Sequence, residues 1–216
     1  MTHSELKEFL DEKVDLYLRP NFIGDDPISI PHQYDKKEDV EISAFLSATI
    51  AWGRRAMIMK NARHMMSIMD NSPHDFIMNA SEKEIQSSLN FCHRTFQGVD
   101  LHTFILALRN IYQNHQGLEA CFYTKEEDMS EGISNFKKTF FNIDHPKRSE
   151  KHISDPLKGS AAKRLIMFLR WMVRSNKEGV DFGIWKTLNP NQLSCPLDVH
   201  TANVGRKLGL ITRKAN

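Results

Sequence analysis

Apolar positions along the chain recur at helical spacing and seldom alternate. Leu6, Phe9, Leu10, Val14 and Leu16/Tyr17 predict a helix over 4–18, ended at Arg19-Pro20 because a residue before proline avoids the helical region. Pro20, Pro27 and Pro31, set among Asp residues, make 20–37 a loop. Helix resumes near Asp39 with Ile42, Phe45, Leu46 and Ile50 and runs to Trp52-Gly53. Another follows through Met57, Ile58, Ala62 and Met65/Met66. Asn71-Ser72-Pro73 reads as a turn in which Ser72 caps a short helix with Pro at its first position. Ser81 and Glu84 form a capping box opening 81–89. Leu101, Phe104, Ile105, Leu108, Ile111 and Tyr112 predict a helix over 100–113, and another is expected over 129–141. Residues 142–158, with His145-Pro146 and Asp155-Pro156, read as a linker. No run alternates between hairpin turns, so no sheet is expected, and no internal repeat is evident. The expected fold class is all-α.

The most apolar stretch, Met167 to Val173, sits in a helix whose polar positions are ordered. At about 100° per residue, Lys163, Arg170 and Arg174 fall within roughly 20° of one another, and Leu165, Phe168 and Met172 lie opposite. The helix thus buries one face and offers a cationic ridge on the other. Residues 195–210 hold a second pattern. Pro196 sets an extended approach, Asp198 caps a helix from about Val199 to Leu208, and Gly209 supplies the exit. A carboxylate at that position is stabilised as an anion by the backbone N–H groups. His200 and Thr201 lie beside it.

Composition narrows the classes. With 216 residues and 40% hydrophobic positions the chain can build a real core, in one large domain or two small lobes. No apolar run approaches a membrane span, and the first residues read as a surface helix rather than a signal peptide, so the expected location is cytoplasmic, with no membrane partner. Three widely spaced cysteines make no zinc, iron–sulfur or disulfide pattern. No metal site, cofactor or glycine-rich nucleotide loop is expected. The net charge of +2 hides an asymmetry. Residues 147–216 carry 14 Lys/Arg against 5 Asp/Glu, and residues 1–146 carry 15 against 22. The chain is therefore divided into an acidic helical lobe, 1–146, and a basic segment, 147–216, suited to a polyanion.

Taken together, Gly159–Arg170 and Leu197–Leu210 resemble the helix–hairpin–helix DNA glycosylases, in particular the short microbial 8-oxoguanine glycosylase/lyases. Gly159, Lys163 and Phe168-Leu169-Arg170 match their hairpin-and-helix motif without a gap. Leu197-Asp198-Val199-His200, followed by Arg206-Lys207-Leu208-Gly209, matches their Asp-bearing helix. Phe45 to Trp52 is a weaker echo of an upstream helix. The whole sequence is similar to a bacterial family, domain of unknown function 2400. The motifs carrying this likeness are Trp52-Gly53-Arg54-Arg55, His93-Arg94-Thr95-Phe96, Lys163 to Arg174, and Pro196 to Thr201. Members usually run on past the last helix, so a further C-terminal part is expected beyond Asn216.

The first resemblance implies a helix–hairpin–helix glycosylase-like helical fold of two lobes. It implies excision of a damaged base, an oxidised purine, from double-stranded DNA, with the nucleotide flipped out of the duplex. Lys163 would be the Schiff-base nucleophile and Asp198 the catalytic carboxylate. Gly159, Ser160, Arg164, Arg170, Arg174, Arg54, Arg55 and His200 would contact DNA, Arg94 being a further phosphate candidate. No obligatory protein partner is implied. Trp52 and Trp171 read first as core, with base stacking as the alternative. Two departures count against catalysis. Ala161 replaces the second hairpin glycine, and Ala48-Thr49 replaces a Gln pair. The alternative is a non-catalytic DNA-binding module on the same scaffold, and a third reading is an enzyme acting on RNA or a modified base.

Overall fold

The computed structural model describes residues 1–24 and 26–213. Asp25 of the Pro/Asp loop and residues 214–216 of the basic segment lie outside the described residues. Among the described residues the regular structure is helical apart from one tiny hairpin. The helices are α1 His3–Tyr17, α2 Lys37–Thr49, α3 Arg55–Ile68, α4 Pro73–Asn79, α5 Glu82–Ile85, α6 Gly98–Asn114, α7 Leu118–Phe122, α8 Ser130–Phe140, α9 Lys163–Val173 and α10 Val199–Lys207. Strands β1 Cys92–His93 and β2 Phe96–Gln97 pair antiparallel between α5 and α6. Two residues per strand are too few to show alternation, which is why the pattern missed them. For the same reason the single-turn-scale α7, entered through Gly117 at φ +88°, left no periodic trace. The Pro/Asp loop is built from three 3-10 turns, each begun by a proline.

The centre of the fold is α2. From Val40 to Thr49 every residue is buried, so this helix is enclosed on all sides. Phe45 is its hub. Its ring lies 5.8 Å from Phe104 of α6, 5.5 Å from Phe136 and Phe140 of α8, and 5.6 Å from Phe168 of α9. Four helices thus meet at one aromatic cluster. The apolar core runs unbroken from Ile28 to Leu188, across position 146, so the division there is one of charge and the two sides share one core.

Polar groups tie the periphery to this core. Glu41, on the buried face of α2, accepts hydrogen bonds from Tyr112 Oη (2.7 Å) and Trp185 Nε1 (2.5 Å). Burial pushes its carboxyl above the ordinary range, while those donors and Lys37 pull it down. Asp100, wholly buried at the start of α6, accepts from Gln97 N, Ser149 Oγ and Arg148 Nη2. The expected linker 142–158 is therefore anchored: Ser149, His152 and Ile153 are buried, and two 3-10 turns, Lys147–His152 and Pro156–Lys158, shape it. The Ser81–Glu84 capping box is present. Ser72 makes no side-chain cap. Asp39 Oδ1 accepts from His74 N across the helix pair instead.

Gly98 shows how tightly α6 is seated. A Cβ there would lie 1.9 Å from the Leu89 carbonyl oxygen, which is backbone and cannot turn aside. Gly98→Ala is expected to cost stability at or above the upper end of the roughly 1–3 kcal/mol typical of overpacking, as read by urea denaturation.

Candidate active site

The approach to α9 is a compact reversal. Asp155 accepts from Leu157 N at 3.1 Å and opens the Pro156–Lys158 turn, and Gly159 then takes φ +82°. Ser160 Oγ accepts from Ala162 N at 3.3 Å. Ala162 is left-handed, φ +43° and ψ 32°, a conformation that costs an L-residue about 1–2 kcal/mol. The left-handed positions of the turn are therefore 159 and 162. Ala161, where the resemblance wants a second glycine, is exposed with an ordinary negative φ.

Lys163 is the first residue of α9, and no side chain caps the helix. Arg164 turns inward. Its Nη1 donates to the Thr49 carbonyl at the end of α2, and its guanidinium lies 4.6 Å over the Trp52 ring. Successive helical residues point about 100° apart, so anchoring Arg164 inside leaves Lys163 outside. Arg164 is thus engaged within the fold and is not a free cation on the surface.

Lys163 and Asp198 line one cavity of about 740 Å³. Arg170 and Arg174 of the α9 ridge, Ile166, Met167, Leu193, Cys195 and Pro196 line it with them. Lys163 and Asp198 also share a second depression, about 400 Å³, with Gly159, Ala161 and Arg206. The two residues come together although 35 positions separate them, because the segment after α9 doubles back. Phe182 N bonds to Trp171 O (2.8 Å), Trp185 N to Met172 O (3.0 Å), and the Trp185 indole is held by Glu41. Glu119 Oε1 then accepts from Lys186 N and Thr187 N at 2.6 and 2.9 Å.

Asp198 caps α10: its Oδ1 accepts from Thr201 N at 2.7 Å. That bond, aided by the Thr201 hydroxyl and His200, holds the carboxyl below the ordinary aspartate range, so it is an anion at neutral pH. Both Asp198 and Lys163 are exposed, and no ion pair of 4 Å or less joins them among the described residues. His200 is exposed one turn-position on, and Gly209, at φ +73°, ends the helix.

The remaining candidates fall into two groups. Arg170 and Arg174 do lie on Lys163's face, but both point their Nε at Asp181, 3.4 and 3.6 Å from its Oδ2. Asp181 is buried, which raises its carboxyl's pKa against the pull of the two guanidinium groups. Sequence reading did not single it out, since one Asp in a loop carries no periodic signal. Arg54 and Arg55 are exposed at the start of α3. Burial raises the Asp26 carboxyl against the pull of its Ile28 N–H bond and of the Arg55 and Arg170 charges. Gly159 and Ser160 are exposed in the turn before α9.

Trp52 is half-buried beneath Arg164, 5.0 Å from His93 and 6.3 Å from His152, and Trp171 is core. His93 Nε2 donates to Trp52 O (3.1 Å), so its Nδ1 is free to accept from Asn61 Nδ2 (2.8 Å). The Trp-Gly-Arg-Arg and His-Arg-Thr-Phe motifs thus interlock as structure. A Cβ on Gly53 would lie 2.8 Å from Arg94 Nη1. Ala48 and Thr49 are buried, so neither reaches the surface. Among the described residues no group of three or more His, Cys, Asp or Glu is placed to hold a metal, and no helix is long and apolar enough to cross a membrane.

The sequence model of a family described as "Protein of unknown function (DUF2400)" matches residues 26–216. No curated protein and no solved structure matches the chain.

Two predictions follow from this geometry. Arg164→Ala is expected to lower the stability read by urea denaturation by loosening α9 from α2, whereas Arg54→Ala/Arg55→Ala leaves the unfolding free energy within about 0.5 kcal/mol of wild type, as for other exposed sites. Burial lowers the pKa of both His93 and His152, the latter against the pull of Asp100. Stability is then full above the unfolded value of about 6.5 and falls as pH drops through the lower folded values. Urea midpoints between about pH 8 and pH 5 check this, and His93→Gln is expected to flatten the profile.

Proposed function

The chain belongs to the DUF2400 family of proteins of unknown function, and from its own residues we propose that it is a DNA base-excision glycosylase with lyase activity, on a helix–hairpin–helix glycosylase-like scaffold. One observation carries the reading: an exposed amine at an uncapped helix start and an ionised helix-capping carboxylate line one cavity with two arginines. The free N–H groups at the start of α9, next to exposed Gly159 and Ser160, suit a backbone phosphate. The basic balance of residues 147–216 suits a polyanion.

The chemistry is as follows. A nucleotide turned out of the duplex enters the cavity with C1′ at Lys163. Nζ, once deprotonated by solvent to the free amine, bonds to C1′ as the bond to the base breaks, and the base leaves with the electron pair and takes up one Nζ proton. The Asp198 carboxylate stabilises the positive charge that develops on the sugar. Ring opening with loss of the second Nζ proton gives an imine. Loss of a C2′ proton then expels the 3′ phosphate and cuts the strand. Apolar Ile166, Met167 and Leu193 line the space for the planar base. Arg54, Arg55, Arg170, Arg174 and His200 supply phosphate contacts around it.

A second reading, a non-catalytic DNA-binding module, draws on Asp198. Its Oδ1 is committed to Thr201 N, the bond of an ordinary helix cap. Borohydride trapping on labelled duplexes carrying 8-oxoguanine, uracil or an abasic site separates the two. The expected result is a covalent adduct with wild type, none with Lys163→Ala, and formation slowed by about 10²-fold or more with Asp198→Asn. No adduct on any duplex, from folded protein that still shifts DNA in a gel, would establish the binding module instead.

A further inference from the structure

Asp181 has a chemistry that the packing alone does not explain. Its side chain is fully buried, and a buried carboxylate is expensive unless paired and hydrogen-bonded. Its ion-pair partners among the described residues are Arg170 and Arg174, both through Oδ2. Oδ1 is buried and accepts no hydrogen bond from any described residue. A carboxylate kept only for stability normally has both oxygens satisfied. The two arginines are one helical turn apart and line the 740 Å³ cavity. Each meets Asp181 through Nε, and their other guanidinium nitrogens have no hydrogen-bond partner among the described residues.

We propose that Asp181 is a positioning residue that holds Arg170 and Arg174 together as a two-arginine clamp for a phosphodiester of the nucleic-acid strand bound in this cavity. The proposal rests on the reading of the cavity as a nucleic-acid site. Like charges one turn apart repel, and without the carboxylate beneath them the two side chains would swing apart into solvent. With it, the pair keeps a net charge of +1, matched to one phosphodiester, and the Nη groups form the planar forks that arginine uses on phosphate. Arg170 lies seven residues from Lys163 and Arg174 eleven, roughly 10 and 16 Å along the helix axis. At about 3.4 Å per nucleotide, the clamp would take a phosphate some three to five steps from the reacting sugar. It therefore fixes the strand's direction along α9, a task that the Lys163–Asp198 end cannot perform.

Asp181→Asn gives a test in which the sign of the effect decides. The substitution keeps shape and removes one negative charge beneath a cationic ridge. If Asp181 merely neutralises that ridge, DNA binds more tightly and with a steeper salt dependence. If it positions the clamp, affinity falls about tenfold and the slope of log K against log salt becomes shallower by about one. The measurement is fluorescence anisotropy on a duplex carrying a tetrahydrofuran abasic analogue, between about 50 and 200 mM salt. Arg170→Lys/Arg174→Lys retains the charges and the buried pairing but not the forks, and is expected to lose affinity likewise. It answers the question if Asp181→Asn does not fold. Binding by Asp181→Asn that is unchanged or tighter, or full affinity in the double lysine variant, overturns the clamp and leaves the base-excision reading standing. In a parallel arm, inorganic pyrophosphate is added to each protein and the melting temperature is read. Wild type that ignores the duplex but is stabilised by pyrophosphate, with Asp181→Asn not stabilised, keeps Asp181 as the positioning residue of a two-arginine phosphate site but overturns its nucleic-acid occupant and ends the base-excision reading. Wild type that responds to neither ends both.

Discussion

Arg164 decides which way the start of α9 faces. Its guanidinium lies between the last carbonyls of the buried helix α2 and the ring of Trp52, and so pins the first turn of α9 to the centre of the fold. A helix advances about 100° per residue, so fixing one side chain inward fixes its neighbour outward. Lys163 is that neighbour. The same pin explains why the hairpin before α9 tolerates a left-handed alanine. Ala162 must bring the chain from an exposed turn to an anchored helix within one residue, and its methyl is buried where the two meet. Trp52 in turn rests on His93, so the pin draws α2, the small hairpin and α9 into one unit.

The second organising element is the return of the chain after α9. Trp185 is among the largest fully buried side chains, and its indole N–H requires a partner there. Glu41 supplies it, at the cost of a carboxylate inside α2 whose protonation is favoured by burial. Glu119 then gathers the backbone of Lys186 and Thr187. These carboxylates set the path along which Pro190 to Pro196 crosses the face of α9 and delivers Asp198 to the cavity. Two acidic residues of the N-terminal part thus place a residue of the basic C-terminal part, which is why the charge asymmetry of the sequence does not divide the core.

Charge at the site itself is used in layers. Asp198 is held as an anion by a backbone N–H, Lys163 stands free of any ion pair among the described residues, and the two arginines beyond are tethered from below by Asp181. Bound, oriented cations at one end and an unengaged amine at the other make the ridge chemically graded rather than uniformly basic. Surface charge counted from the sequence cannot distinguish these states: Arg164, Arg170 and Lys163 carry the same formal charge, yet Arg164 is held by Thr49 and Trp52, Arg170 by Asp181, and Lys163 by no ion pair among the described residues.

Much of the local structure was legible in the residues. The period of Leu, Ile, Phe and Met marked α1, α2, α3, α6, α8 and α9. Pro and Gly marked their ends, the Ser81–Glu84 box was visible in its spacing, and Asp198 was recognisable as a cap beside Gly209 as an exit. These features depend on contacts within about one or two turns, so a reading of neighbours finds them. The alignment of Lys163, Arg170 and Arg174 on one ridge is of the same kind. What only the tertiary structure decided is which of those cations remain available and what faces them. The capture of Arg164 by Thr49 and Trp52, the Asp181 tether, the Glu41–Trp185 clasp and the cavity that Lys163 and Asp198 both line each join residues from different elements or across long loops. A sequence states which charges exist, but the partner of a charge depends on chain return, and that is set by burial of the whole core at once.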